Sequence, residues 1–253
     1  MQATTAAPLS PEKGATVVST PNITRWIGIG LLGLALYGVL TFLSSLNPQP
    51  DPNTHYDAWA RFVTTDFYVL KHLFVSIIGT ILVIFGTFAL GTYLATSRAG
   101  RMGLVAMAVT VFGTALFLTI GGVSTFAAPE QGQIHLAGIE EYRNLPTILA
   151  ETLQGATMGA AVLLMLVGNV LLGVAVWRSG TLPKWAGALW AAGSSLPMLG
   201  MLYALLPIGA DATPAIVPVG MALLAISGAW MAYSVLRRPS TAAVGVGAQP
   251  RVQ

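Results

Sequence analysis

Six stretches of this chain carry no charged residue over a length sufficient to cross a lipid bilayer: Trp26–Pro50, Leu73–Ser97, Met102–Pro129, Thr152–Trp177, Trp185–Ala210 and Ala212–Leu236. A helix rises about 1.5 Å per residue, so ~20 apolar residues traverse a hydrocarbon core of ~30 Å. Backbone amides in lipid find no water to bond, which makes each stretch helical unless the chain closes into a barrel. Barrel strands are ~10 residues long and alternate in polarity, and these runs do not alternate. The expectation is an all-α fold, a six-helix transmembrane bundle with spans at about 26–46, 67–95, 102–127, 147–177, 185–206 and 214–236.

Composition agrees. Only 8% of the 253 residues are charged and 55% are hydrophobic, whereas soluble domains carry roughly 25% charge. Such a chain lacks the polar surface to cover a water-soluble globule. With no cysteine, disulfides, thiolate metal sites, iron–sulfur clusters and cysteine nucleophiles are excluded.

The distribution of charge supplies an orientation. Of 12 lysines and arginines, Lys13, Arg25, Arg98, Arg101, Arg178, Lys184, Arg237, Arg238 and Arg251 flank one side of the spans; Arg61, Lys71 and Arg143 flank the other. Glu12 is the only acid on the basic side, while Asp51, Asp57, Asp66, Glu130, Glu140, Glu141, Glu151 and Asp211 lie opposite. Basic loops stay on the cytoplasmic face, so both termini are expected there, in a cell membrane crossed several times. The pI of about 9.4 then reports membrane orientation rather than nucleic-acid binding. Trp26, Trp177, Trp185 and Trp59 sit near expected boundaries, where indole favours the headgroup region. A cleaved signal peptide competes for the first span, but that run is long for one and lacks a clear small-x-small site near Asn47.

Residues 1–24 and 238–253 read as disordered cytoplasmic tails flanking a transmembrane domain at 25–237. Two long outer connections, Asn47–Asp66 and Pro129–Pro146, hold most of the acids and two of the three histidines. Gly86-Thr87…Leu90-Gly91…Ser97 lines up with Gly168-Asn169…Leu172-Gly173…Ser179. The alignment suggests a parallel repeat of helical hairpins, an arrangement found in transporters and also produced by plain duplication.

The inner turn Arg178-Ser179-Gly180-Thr181-Leu182-Pro183-Lys184-Trp185 resembles a turn of the form Arg-Ser-x-x-Leu-Pro-x-Trp in uncharacterised bacterial multi-pass inner-membrane proteins of about six helices. The resemblance covers this turn and the hydropathy of its flanking helices. It implies a bacterial inner-membrane location and no particular activity.

Ionisable groups within spans are costly to insert and are the first place to look for function. The second span offers Lys71 and His72; the fourth offers Glu151, Gln154 and Asn169. Helical spacing sets Gln154, Met158, Met165 and Asn169 near the face of Glu151, and sets Ser76, Gly79, Val83 and Gly86 near that of His72. Gly155 and Gly159 add a close-packing patch beside Glu151. His72 and Glu151 lie at similar depth from the outer side, which makes His72, Glu151, Gln154 and Asn169 a candidate outward-facing polar pocket. The structural alternative has Lys71 snorkelling outward and the other polar groups bonding nearby backbone. The loop residues His55, Asp57, His135, Glu140 and Glu141 show no metal-ligand spacing, and neither metal nor cofactor is expected.

Catalytic patterns are sparse. One histidine within a span cannot supply two axial haem ligands, no aspartate lies deep in a helix, and no phosphate loop or dinucleotide fingerprint is present. The leading expectation is a non-enzymatic accessory, sensor or complex-forming membrane protein, with the lipid bilayer and other helices, in a homo- or hetero-oligomer joined through Gly/Ala/Ser faces, as partners. A small-solute transporter or permease using the His72 and Glu151 pocket is the alternative. An interfacial enzyme acting on lipid or quinone is a third.

Overall fold

The computed structural model describes residues 23–139, 148–204 and 216–237, except for the side chains of 148–151 and 203–204. The described residues form seven helices: α1 (Ile23–Ser45), α2 (Tyr56–Val63), α3 (Asp66–Ala95), α4 (Gly100–Leu136), α5 (Ile148–Ser179), α6 (Lys184–Ala204) and α7 (Ile216–Leu236). Five of them, α1, α3, α4, α5 and α7, are long and apolar enough to cross a membrane.

These helices invert the pattern of a soluble protein. The buried face of α4 consists of Gly103, Ala106, Thr110, Gly113, Thr114, Gly121, Thr125 and Gly132. Its large residues, Leu104, Val105, Phe112, Val123 and Phe126, point outward. In water this arrangement would expose the apolar side chains and bury little. In lipid the tails solvate the large groups, and small residues let neighbouring backbones approach closely. The protein is a membrane-embedded helical bundle.

Six long helices close into a ring in chain order. Helix α1 packs against α3, α3 against α4, α4 against α5, α5 against α6, α6 against α7, and α7 returns to α1. Glycines set the antiparallel registers. A methyl group on Gly38 would lie 2.6 Å from the backbone nitrogen of Ala225, and one on Gly228 would lie 2.8 Å from that of Ala35. The inner part of the ring is filled by one apolar core contributed by all six helices, including Leu31, Leu34, Leu90, Leu94, Leu172, Trp190 and Met231.

Helix α6 differs from the other five long helices. Its exposed positions beyond the first residue, Trp185, Ala192 and Leu199, recur at heptad spacing along a narrow seam. The rest of the helix faces α5 and α7 with Gly187, Gly193, Ser194 and Pro197. Protein contacts on most of its circumference explain why this helix is the least greasy of the six.

Helix lengths are unequal. Helices α3 and α4 run for 30 and 37 residues, against 23 for α1 and 21 each for α6 and α7. At 1.5 Å per residue α4 measures about 55 Å, well beyond a ~30 Å hydrocarbon core. The α3–α4 turn at the basic end is tight, so the surplus projects from the opposite end. There α2 packs on α4.

The connections expected on the outer side are therefore more structured than expected. Residues 56–63 form the amphipathic helix α2, and α4 continues through Pro129 to Leu136 instead of stopping near 127. Proline removes one helical hydrogen bond, but tertiary packing holds the helix beyond it: a methyl on Gly132 would meet Val63 Cγ2 at 2.7 Å and Ala60 O at 2.9 Å. Trp59 is not a headgroup anchor; it is buried with Ala60, Val63 and Tyr68 in a small separate core. Residues 23 and 24, expected in the N-terminal tail, begin α1; the rest of the expected tails, the 140–147 connection and the Glu151 side chain lie outside the described residues.

The two basic-end turns share one construction. Ser97 Oγ donates to Leu94 O at 2.7 Å and accepts from Ala99 N at 3.1 Å; Ser179 Oγ donates to Val176 O at 2.8 Å and accepts from Thr181 N at 3.2 Å. Upstream, Gly86, Thr87, Leu90 and Gly91 are buried, as are Gly168, Asn169, Leu172 and Gly173. Across each hairpin, Gly103 faces Leu94 and Gly187 faces Val176.

Candidate functional site

The end opposite the basic turns holds most of the polar chemistry of the described residues. Thr65 caps the start of α3 by accepting the Tyr68 amide, a typical use of threonine before a helix. One turn later Tyr68 is buried and donates its hydroxyl to Ser124 O of α4 at 2.8 Å. His72 follows on the same face, where its imidazole donates Nδ1–H to Tyr68 O at 3.0 Å and lies over the Tyr68 ring with centroids 3.9 Å apart. Phe62 of α2 completes the aromatic cluster, edge-on to Tyr68 at 5.7 Å.

Immediately after His72, α3 widens into a π-helix over Leu73–Gly79. The wide turn shifts the helical phase, so the regular 100° wheel through His72 does not carry straight to Val83 and Gly86. Gly79 and Gly86 face α1, at Tyr37 and Leu34, while Ser76 O faces Gly121 of α4. One sequence stripe thus serves two neighbours. Lys71 donates Nζ–H to Asn47 O, just past the end of α1, at 2.6 Å.

A second cluster pins α2 to the projecting end of α4. Asp57 Oδ1 lies 2.5 Å from His135 Nε2, and the Tyr56 ring meets the His135 ring edge-on at 4.6 Å. The sequence pattern did not pair Asp57 with His135, because their proximity requires α4 to continue past Pro129. No group of three or more His, Asp or Glu side chains suited to a metal occurs among the described residues.

The four residues of the expected pocket are placed as follows. His72 is half-buried and bonded within its own helix. Asn169 is buried and donates Nδ2–H to Met165 O at 2.8 Å, also within its own helix. Gln154 is exposed, and the Glu151 side chain lies outside the described residues. Gly155 and Gly159 have open space where a side chain would go, so among the described residues the close-packing patch expected beside Glu151 meets no neighbour. Helix α3 approaches α5 in its Thr80–Ala95 stretch, whereas its Leu73–Gly79 stretch packs against α1 and α4.

Around the level of Asn169 the interior carries hydroxyls that sequence reasoning passed over. Thr87 and Thr110 are buried, and neither hydroxyl has a hydrogen-bond partner among the described residues. Thr114 and Thr125 instead bond their own i−4 carbonyls at 2.7 Å, the usual way a helical threonine is satisfied. Single threonines in apolar spans look alike in sequence, and only the packing separates these two pairs.

No family model matches the chain, and no curated protein or solved structure matches it.

Proposed function

We propose that this chain is a six-span integral protein of a bacterial plasma membrane, with both termini cytoplasmic, acting as a non-enzymatic accessory or complex-forming component. The observation that carries this reading is the filled interior. Leu31, Leu34, Leu90, Leu94, Ala106, Leu172, Trp190 and Met231, drawn from all six long helices, occupy the space that a solute path would need. The polar groups near that space, His72 and Asn169, are committed to carbonyls of their own helices.

The six-span count is supported by α6, whose 21 residues match α7 in length and pack between α5 and α7. Orientation is supported by the basic residues; the exposed indoles of Trp26, Trp177, Trp185 and Trp230 near the same end fit a membrane interface there without fixing its side. Duplication of a helical hairpin is supported by the matched serine turns and matched buried glycines of α3–α4 and α5–α6. Membership among bacterial multi-pass proteins with the Arg-Ser-x-x-Leu-Pro-x-Trp turn rests on residues 178–185.

The native absence of cysteine allows a clean test. Single Asn169→Cys and Thr87→Cys variants are treated in intact cells with a membrane-impermeant maleimide, with Thr54→Cys, exposed in the outer segment, as the positive control. The accessory reading expects labelling at 54 and none at 169 or 87. Rapid labelling at 169 from outside would replace it with the permease reading, which the unpartnered hydroxyls of Thr87 and Thr110 favour. A reporter fused after residue 253 tests the cytoplasmic placement of the C-terminus.

A further inference from the structure

We propose that the basic end of the bundle binds the phosphodiester headgroup of an anionic phospholipid between its two serine turns. Arg98 of the α3–α4 turn lies against the α5–α6 turn: a methyl group on Gly180 would sit 3.8 Å from Arg98 Cδ and 3.9 Å from its Nε. That contact brings Arg98 and Arg101 of one hairpin beside the turn that carries Arg178 and Lys184. All four side chains are exposed, and no ion pair involves them among the described residues. The described carboxylates, Asp51, Asp57, Asp66 and Glu130, belong to the opposite end.

Both turns are rigid. Ala99 and Leu182 are buried in the main apolar core, and the Ser97 and Ser179 hydroxyls bond the backbone on either side of each turn. The cations are therefore held together before any ligand arrives, at a standing electrostatic cost that an anion relieves. Arginine matches phosphate oxygens with two parallel donors, and basic sites between membrane helices suit anionic headgroups. The occupant is a lipid rather than a soluble anion because Trp177 and Trp185 flank the cations. Their rings meet edge-on at 5.4 Å with exposed faces, the interfacial position of indole beside acyl chains. The proposal requires only that the bundle be embedded in a bilayer, not that this end face the cytoplasm.

The test uses the full chain purified in a neutral detergent at low salt. Thermal unfolding is followed while phosphatidylglycerol, phosphatidylcholine or inorganic phosphate is titrated. Phosphatidylglycerol should raise the melting temperature saturably, and the other two should not. Each cation near a charged lipid contributes roughly a fivefold factor in affinity, so Arg98→Gln/Arg178→Gln/Lys184→Gln should weaken the apparent affinity on the order of 100-fold. Single Arg98→Gln and Lys184→Gln variants should each weaken it about fivefold, which covers the case of a triple variant that does not fold. Arg61→Gln, at the far end, should leave it unchanged. Equal stabilisation by phosphatidylcholine or by inorganic phosphate, or an unchanged apparent affinity for phosphatidylglycerol in the single variants, would overturn the proposal.

Discussion

Replacing Gly38 with alanine isolates the contact that closes the helical ring. The added methyl group would lie 2.6, 2.8 and 2.9 Å from Ala225 N, Cα and Cβ. Comfortable heavy-atom separations are about 3.5–4.0 Å, so the shortfall approaches 1 Å. Because two of the three atoms are backbone, no rotamer change relieves the clash; α1 and α7 must move apart. A gap of 0.5–1 Å forfeits a quarter to a half of the dispersion energy of the facing atoms, and overpacking of this kind costs about 1–3 kcal/mol. Against it stands a helix-propensity gain of up to ~1 kcal/mol for alanine over glycine. Gly122 in α4 supplies the control, since a methyl there meets nothing within 4 Å and only the propensity gain applies. The Gly38→Ala variant should therefore be less stable than Gly122→Ala by about 1–3 kcal/mol. Both would be followed by unfolding in mixed micelles with increasing denaturing detergent. Equal stability of the two variants would show that α1 and α7 do not meet at Gly38 and that the ring is not closed there.

The matched turns should respond alike to loss of their serines. Ser179→Ala removes one bond donated to Val176 O and two accepted from Thr181 N and Leu182 N, at about 1–3 kcal/mol for buried groups left unpaired, and Ser97→Ala should cost somewhat less; unchanged melting of Ser179→Ala would contradict the turn geometry. Ser227→Ala deletes the bond from α7 to Ala186 O of α6 at 2.7 Å and should destabilise by roughly 0.6 kcal/mol, the average for such interhelical bonds in a membrane, measured by the same unfolding assay. Asp57→Ala should release α2 from α4, seen as faster backbone hydrogen exchange across 56–63 with α4 unchanged near Gly113; equal protection in the variant would mean that the His135 contact does not hold α2.

Much of the architecture was readable from residue order. Runs without charge located the long helices within a few residues, except for the far end of α4, which runs nine residues beyond 127, and the tight basic turns at Arg98–Arg101 and Arg178–Lys184 appeared where expected. The candidate pocket was less legible. His72 and Asn169 are polar groups in greasy helices, and sequence spacing cannot say whether such a group faces a partner or folds back on its own carbonyl. Here both bond within their helices, and a π-turn after His72 changes the phase on which the expected face was drawn. The Asp57–His135 contact was hidden for another reason: a proline at 129 argues locally for a helix end, and only the packing of Gly132 on α2 keeps the helix running.

What residue order determined is which segments must be helical and how much of each can meet lipid, because transfer of backbone and charge into hydrocarbon is costly regardless of neighbours. What the tertiary structure decided is which faces turn inward. Glycine, alanine and threonine gain nothing from being inside until another helix arrives closely enough to use the space they leave. The ring order, the filled centre and the joining of two basic turns into one cationic surface all depend on those approaches between distant parts of the chain.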